Sequence, residues 1–149
     1  MGTRSIIAEP HGDGFRGRYC HWDGHPSWNG VQLAKLVQRD GVERVREVLL
    51  HDHGYWSTID AAATEADLAD HERNGSFQVV PGFGKTSDMR AEECPDWVTD
   101  QDVTSHGAEW GYVIGDREML VMELPWDGGN PRLVAYDDPE AIDTLKGWG

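Results

Sequence analysis

A chain of 149 residues with 27 acidic and 13 basic side chains carries a formal net charge of −14, a field that repels polynucleotides and anionic membranes and suits a basic partner. The length is that of one domain able to bury its own core, and two cysteines, Cys20 and Cys94, are too few for a secreted disulfide scaffold. No apolar run reaches the length of a membrane span or a signal peptide, so the expectation is a cytoplasmic protein with free thiols.

Residues 3–8 (TRSIIA) read as a strand, 9–14 are rich in turn formers, and 15–22 are extended again; two such runs around an Asp-Gly pair predict a β-hairpin. Asp23-Gly24-His25-Pro26 is the next turn. Asp tolerates the left-handed region, Gly supplies positive φ, and Pro forces its predecessor extended. Ser27 or Asn29 can then cap a helix over about 29–39, with Val31, Leu33, Leu36 and Val37 on one face. Asp40-Gly41-Val42-Glu43 fits a capping box. It would open a second helix over about 41–50, buried through Val42, Val45, Val48 and Leu49.

Residues 51–59 read as a loop and 61–73 as a third helix capped by Thr64 and ended by Asn74-Gly75. Residues 76–80 are strand-like, and 81–95, rich in Gly, Pro and charge, predict a mobile surface loop. The stretch 97–106 fits no element. Residues 109–114 and 119–124 are the clearest strands, 126–130 a turn, and 132–136 the last strand. A final helix over 138–145 is capped by Asp137 or Asp138, with Pro139 in its first turn. Strands at both ends and helices between predict a single α+β domain over 1–149, an antiparallel sheet with helices packed on one face.

Gly12-Asp13-Gly14-Phe15-Arg16-Gly17 matches G-x-G-x-x-G. The dinucleotide fingerprint needs a helix next, whereas the following residues alternate like a strand, so the glycines read as hairpin turn residues. Gly84-Lys85-Thr86 resembles the end of a P-loop, but Val79 stands where that loop needs Gly. His21 and His25 with Asp23, and His51 and His53 with Asp52, offer zinc-type ligands. The first pair straddles a Gly–Pro turn, however, and no Cys-x-x-Cys or His-Glu-x-x-His occurs. The reading is no metal and no cofactor.

Successive strand residues face opposite ways, so Cys20 and His21 form no dyad. Arg18, Cys20 and Trp22 share one face, with Cys20 and Trp22 as core, and Tyr19, His21 and Asp23 share the other. His21 with Asp23 is the candidate acid–base pair; the plainer reading is a strand ending in a turn fastened by the Asp23 side chain. Seven tryptophans are the strongest departure from ordinary composition. Those beside turns, Trp22, Trp28, Trp56 and Trp126, suit stacking platforms or partner hot spots. Because the acidic field disfavours polynucleotide, this region suits a small nucleotide-like ligand whose phosphates meet Arg16, Arg18 or Lys85. The expected ligand-binding residues are Arg18, Tyr19, His21, Trp22, Asp23, Trp28 and Trp56.

The segment RYCHWDGHPSWNGVQL, with VERVREVLLHDHGYWSTI behind it, resembles a group of small, mostly uncharacterised proteins of bacteriophages and actinobacteria. In these a strand ends in a Tyr-x-His-Trp/Tyr-Asp-Gly-Tyr-Pro motif, and a Gly-x-x-Leu helix and a Gly-x-x-Ser loop follow. Tyr19, His21, Trp22, Asp23, Gly24, Pro26, Gly30 and Leu33 match the first part, Gly54 and Ser57 the second, and EWGYVI over 109–114 also fits. His25 stands where the group has Tyr. The resemblance covers about the first 60 residues and that strand, and brings no established activity. It implies a phage or prophage accessory protein, a setting of counter-defence and host takeover.

The expectation is therefore a non-enzymatic accessory protein, active in a host cytoplasm, that binds a small nucleotide-like ligand or a host protein. The alternatives are a small nucleotide hydrolase using His21 and Asp23, and an acidic mimic of nucleic acid. Accessory proteins of this size often work as homodimers, though no residue here specifies one.

Overall fold

The structure, a computed structural model, describes residues 3–67, 78–86, 97–103, 107–124 and 131–147. The hairpin forms as β1 (Ser5–His11) and β2 (Gly14–Cys20). Both strands run on to a two-residue turn, where Gly12 takes φ +60, the positive φ demanded at the first central position of a II′ turn. That turn sets the register: Glu9 lies opposite Arg16, Ile7 opposite Arg18 and Ser5 opposite Cys20. A Cβ on Gly17 would stand 2.2 Å from the Ile7 carbonyl oxygen, so the last glycine of the G-x-G-x-x-G stretch lets the strands close together.

A π-helical turn, Pro26–Gly30, leads into α1 (Val31–Asp40), which buries Val31, Leu33, Leu36 and Val37. Neither Ser27 nor Asn29 caps it. The His25 carbonyl accepts the Trp28 and Asn29 N–H groups, and the Asn29 amide donates to Ser5 Oγ and Cys20 Sγ. α2 (Val42–Arg46) continues into a second π-helical turn, Glu47–His51. The capping box between Asp40 and Glu43 does not form. Gly41 holds the N-cap position at φ +88 without a side-chain bond, and Arg39 takes the Asp40 carboxylate at 2.6 and 2.9 Å.

The segment read as a loop over 51–59 ends in a strand, β3 (Tyr55–Ile59). One 3-10 turn, Glu65–Asp67, follows. Thr64 donates its N–H to the Asp67 carboxylate; residues 61–64 form a turn and coil rather than the expected helix, and 68–73 lie outside the described residues. The stretch 81–95 is not all surface loop. β4 (Gln78–Val80) turns directly into β5 (Gly84–Thr86), which pairs with both β4 and β3; residues 87–95 lie outside the described residues. β6 (Val98–Thr99) joins β2. β7 (Trp110–Ile114), β8 (Glu118–Glu123), β9 (Arg132–Ala135) and α3 (Pro139–Lys146) follow the expected order. The Asp138 side chain accepts the Glu140 and Ala141 N–H groups as the cap of α3. The turn expected over 126–130 lies outside the described residues.

The strands form one sheet in the order β4-β5-β3-β2-β1-β7-β8-β9, with β6 on β2. The sheet is mixed, a correction to the antiparallel expectation: β1 pairs with β7, and β2 with β3, in parallel. Side-chain alternation is the same for either direction. The direction is set by the connections, and the helical stretch between β2 and β3 is a crossover of the kind parallel neighbours require. One face carries Ile7, Cys20, Trp56, Tyr112 and Ile114 against Leu33, Leu36, Val45, Leu49 and Leu145 of the helices. The other carries Ile6, Ala8, Val113 and Met122 against Val98, Val103 and Ala108. Among the described residues no helix is long and apolar enough to cross a membrane.

Candidate functional site

The turn after β2 is held by backbone. His21 and Trp22 donate their N–H groups to the Trp56 and Ser57 carbonyls, Gly24 N–H donates to the Thr3 carbonyl, and the Tyr112 hydroxyl donates to the Gly24 carbonyl. Asp23 contributes conformation rather than a bond. It is the one non-glycine among the described residues with positive φ, at +57, and its exposed carboxylate is bonded to none of them. Left-handed backbone costs an L-residue about 1–2 kcal/mol, less for Asp. Asp23→Gly is therefore expected to leave the urea midpoint unchanged or raise it, while Asp23→Val lowers stability by about 1–2 kcal/mol. Equal losses in both variants would assign the turn's stability to the side chain instead.

The predicted residues around this turn divide. Tyr19 and His21 meet, hydroxyl to Nδ1 at 3.0 Å, and Tyr19 packs on Tyr55 with ring centroids 5.4 Å apart. His21 and Asp23 are not brought together by any hydrogen bond, so the acid–base pair is not assembled. Trp22, expected in the core with Cys20, is instead 44% exposed because the strand ends at Cys20; it meets His21 edge-on at 4.6 Å. Trp28 is 39% exposed and donates Nε1–H to the Ile59 carbonyl at 2.8 Å. Trp56 is fully buried and donates to the Leu49 carbonyl, so it reaches no ligand. Lys85 lies on β5, with β3 between it and β2. Cys20 is buried, and desolvation pushes its thiol up to about 11 against an opposing bond from Asn29.

Arg18 belongs to a second constellation on the helix-bearing face. Hairpin register sets Glu9 opposite Arg16, and the Arg16 Nε donates to Glu9 Oε2 at 3.0 Å. His51, at the end of the second π-helical turn, brings Nε2 to 3.1 Å from both Glu9 oxygens. Trp97, just before β6, lies under both guanidinium groups: the Arg16 and Arg18 carbons are 4.3 and 3.7 Å from its ring centroid. The His51 ring stands 5.3 Å away at 61°. Arg18 also donates Nε–H to the Leu50 carbonyl at 2.9 Å.

Arg16 and His51 thus share one buried carboxylate, and both guanidinium groups and the imidazole share one indole. The cluster carries one net positive charge with His51 neutral and two with it protonated, inside a chain of charge −14. Arg18 is only 3% exposed, while the side chains of Arg16 and His51 are 29% and 41% exposed. The outer two present the charge, and Arg18 fixes the indole from within through a cation–π contact.

Glu9, His51 and Trp97 were not among the predicted site residues. A turn centred on the Asp13-Gly14 pair would set Glu9 opposite Arg18; the turn residues are instead Gly12 and Asp13, which moves Glu9 to Arg16. Nothing local marks Trp97, which arrives through the β2–β6 pairing. The other histidines considered for a metal are engaged elsewhere: His25 Nε2 lies 2.6 Å from Thr3 Oγ1, and His53 packs edge-on to Trp56. Among the described residues no group of three or more His, Cys, Asp or Glu is placed to hold a metal ion. No protein-family model, no curated protein and no solved structure matches the chain.

Proposed function

We propose that the chain is a non-catalytic accessory protein, of the phage type its sequence resembles, that binds a small nucleotide-like anion at the cluster of Glu9, Arg16, Arg18, His51 and Trp97. One observation carries the reading: a positive island built around Trp97 in a strongly acidic protein. Guanidinium is the group best matched to a phosphate, through paired N–H bonds. The Arg16 guanidinium and the His51 imidazole are the accessible donors, and the His51 ring and the indole edge offer an aromatic border for a base. The surrounding negative field excludes longer polynucleotides, which selects a small ligand.

The test is a thermal-shift screen against nucleotides, cyclic nucleotides and ADP-ribose derivatives, with each ligand recovered after denaturation and weighed by mass spectrometry. At about 100 times its dissociation constant a ligand adds about 2.7 kcal/mol, a shift of several degrees in a domain of this size. Arg16→Gln is expected to weaken binding by about tenfold or more, the worth of one charge-assisted hydrogen bond. A ligand recovered chemically altered would turn the reading to a hydrolase. A screen without any shift would overturn it in favour of a basic host protein, docked where Trp22 and Trp28 stand exposed.

A further inference from the structure

On the sheet face away from the helices, a cavity of about 250 Å³ opens beside the tip of the β1–β2 hairpin. Its walls are Phe15, Val103, Leu120 and Met122, all members or close neighbours of the core on that face. Asp13, Gly14 and Asp100 complete it. The same three residues and Phe15 border a wider polar mouth of about 460 Å³, which adds His11, Thr99 and Gln101.

The two carboxylates are placed rather than scattered. Asp13 is one of the two turn residues of the hairpin. Asp100 is tied to β2 by mutual bonds with Phe15, its N–H to the Phe15 carbonyl at 3.3 Å and its Oδ1 accepting the Phe15 N–H at 3.4 Å. A Cβ on Gly14 would stand 2.2 Å from Asp100 Oδ1, so glycine there is what admits the carboxylate to the hairpin tip. Among the described residues neither acid is paired with a Lys or Arg. An apolar cavity gains from an apolar occupant at roughly 25 cal/mol per Å² removed from water, and uncompensated carboxylates at its mouth select a positive charge. The net charge of −14 raises the local concentration of cations further.

We propose that this cavity binds a small organic cation, an ammonium or amidinium carrying an apolar body, with the body on Phe15, Val103, Leu120 and Met122 and the charge against Asp13 and Asp100. It lies on the opposite face of the sheet from the Trp97 cluster and stands whether or not that cluster binds an anion.

The experiment compares benzamidine with benzamide, close in shape and differing in charge, by NMR titration of the full chain. Benzamidine is expected to shift the signals of Phe15, Val103, Leu120 and Met122, with benzamide at least about tenfold weaker. The double variant D13N/D100N is expected to remove that preference while keeping the fold, since both positions are exposed. Asp13→Asn alone, at a turn position that bonds to nothing described, serves if the double variant unfolds. Equal binding of the two probes, shifts spread over the acidic surface away from the cavity, unchanged selectivity in the variants, or no binding of benzamidine would each overturn the proposal.

Discussion

Trp56→Ala is expected to remove about 3–5 kcal/mol of stability, the range for deleting a large aromatic from a core, which is much of the 5–15 kcal/mol that holds a small domain together. Trp56 is fully buried on β3, and its indole N–H satisfies the Leu49 carbonyl at 2.8 Å, tying the helical crossover to the strand it leads into. Truncation opens a cavity and also strands that carbonyl away from water. Trp56→Phe keeps most of the apolar bulk and loses the N–H and part of the ring, so it is expected to cost about 1–3 kcal/mol. Urea unfolding of both variants checks the order. The Phe variant carries a second reading, because a ligand that binds at Arg16 and His51 is expected to bind it unchanged. Loss of ligand from a folded Trp56→Phe protein would return Trp56 to the binding role its neighbourhood in the sequence suggests.

The protein is expected to lose stability steeply above pH 9. Desolvation raises the Cys20 thiol from 9.0 to about 11 and holds the Tyr112 and Tyr136 hydroxyls above their ordinary value. Each is an acid that ionises earlier in the unfolded chain than in the native one. As pH climbs past the unfolded value, the unfolded state sheds protons that the native state keeps, so unfolding is favoured. The contribution is intact below pH 9 and is lost as pH rises through the native values. The rise at Cys20 corresponds to about 2–3 kcal/mol between pH 9 and 11, with the tyrosines joining from about pH 10. Urea midpoints measured from pH 8 to 11 test this. Cys20→Ala is expected to flatten the curve between pH 9 and 10, before the tyrosines contribute. An unchanged slope in that variant would show that Cys20 is not its source.

The hairpin, both helices after the turn, the β7–β8 pair and the capped last helix were legible because their signals are local. The Asp-Gly pair marks a turn, though one residue past its true centre, Leu33 and Leu36 mark a helical face, and Asp138 with Pro139 a helix start. What escaped depends on distant partners. β3 reads as a loop because Tyr55 to Ile59 lack clean alternation, yet pairing with β2 on one side and β5 on the other makes them a strand. Asp40 looked like a cap until the adjacent guanidinium of Arg39 took its carboxylate. Of the candidate site, Arg16 and Arg18 were in view, two apart on one strand face. His51 and Trp97 join them only through the end of a helical crossover and a two-residue strand arriving from the far half of the chain.

The parallel pairing of β1 with β7 bears on how the chain comes to be folded. Ser5 aligns with Trp110 and Ala8 with Val113, so β1 lies in the middle of the sheet and its second neighbour comes about 100 residues later in the chain. Closing so long a loop is an entropic cost met before the contacts reward it, and such topologies fold slowly. Until β7 and β8 emerge, the buried edge and apolar face of the hairpin stand open to water and to other chains. A truncation before residue 110 therefore leaves the β1 edge of the hairpin without its parallel partner.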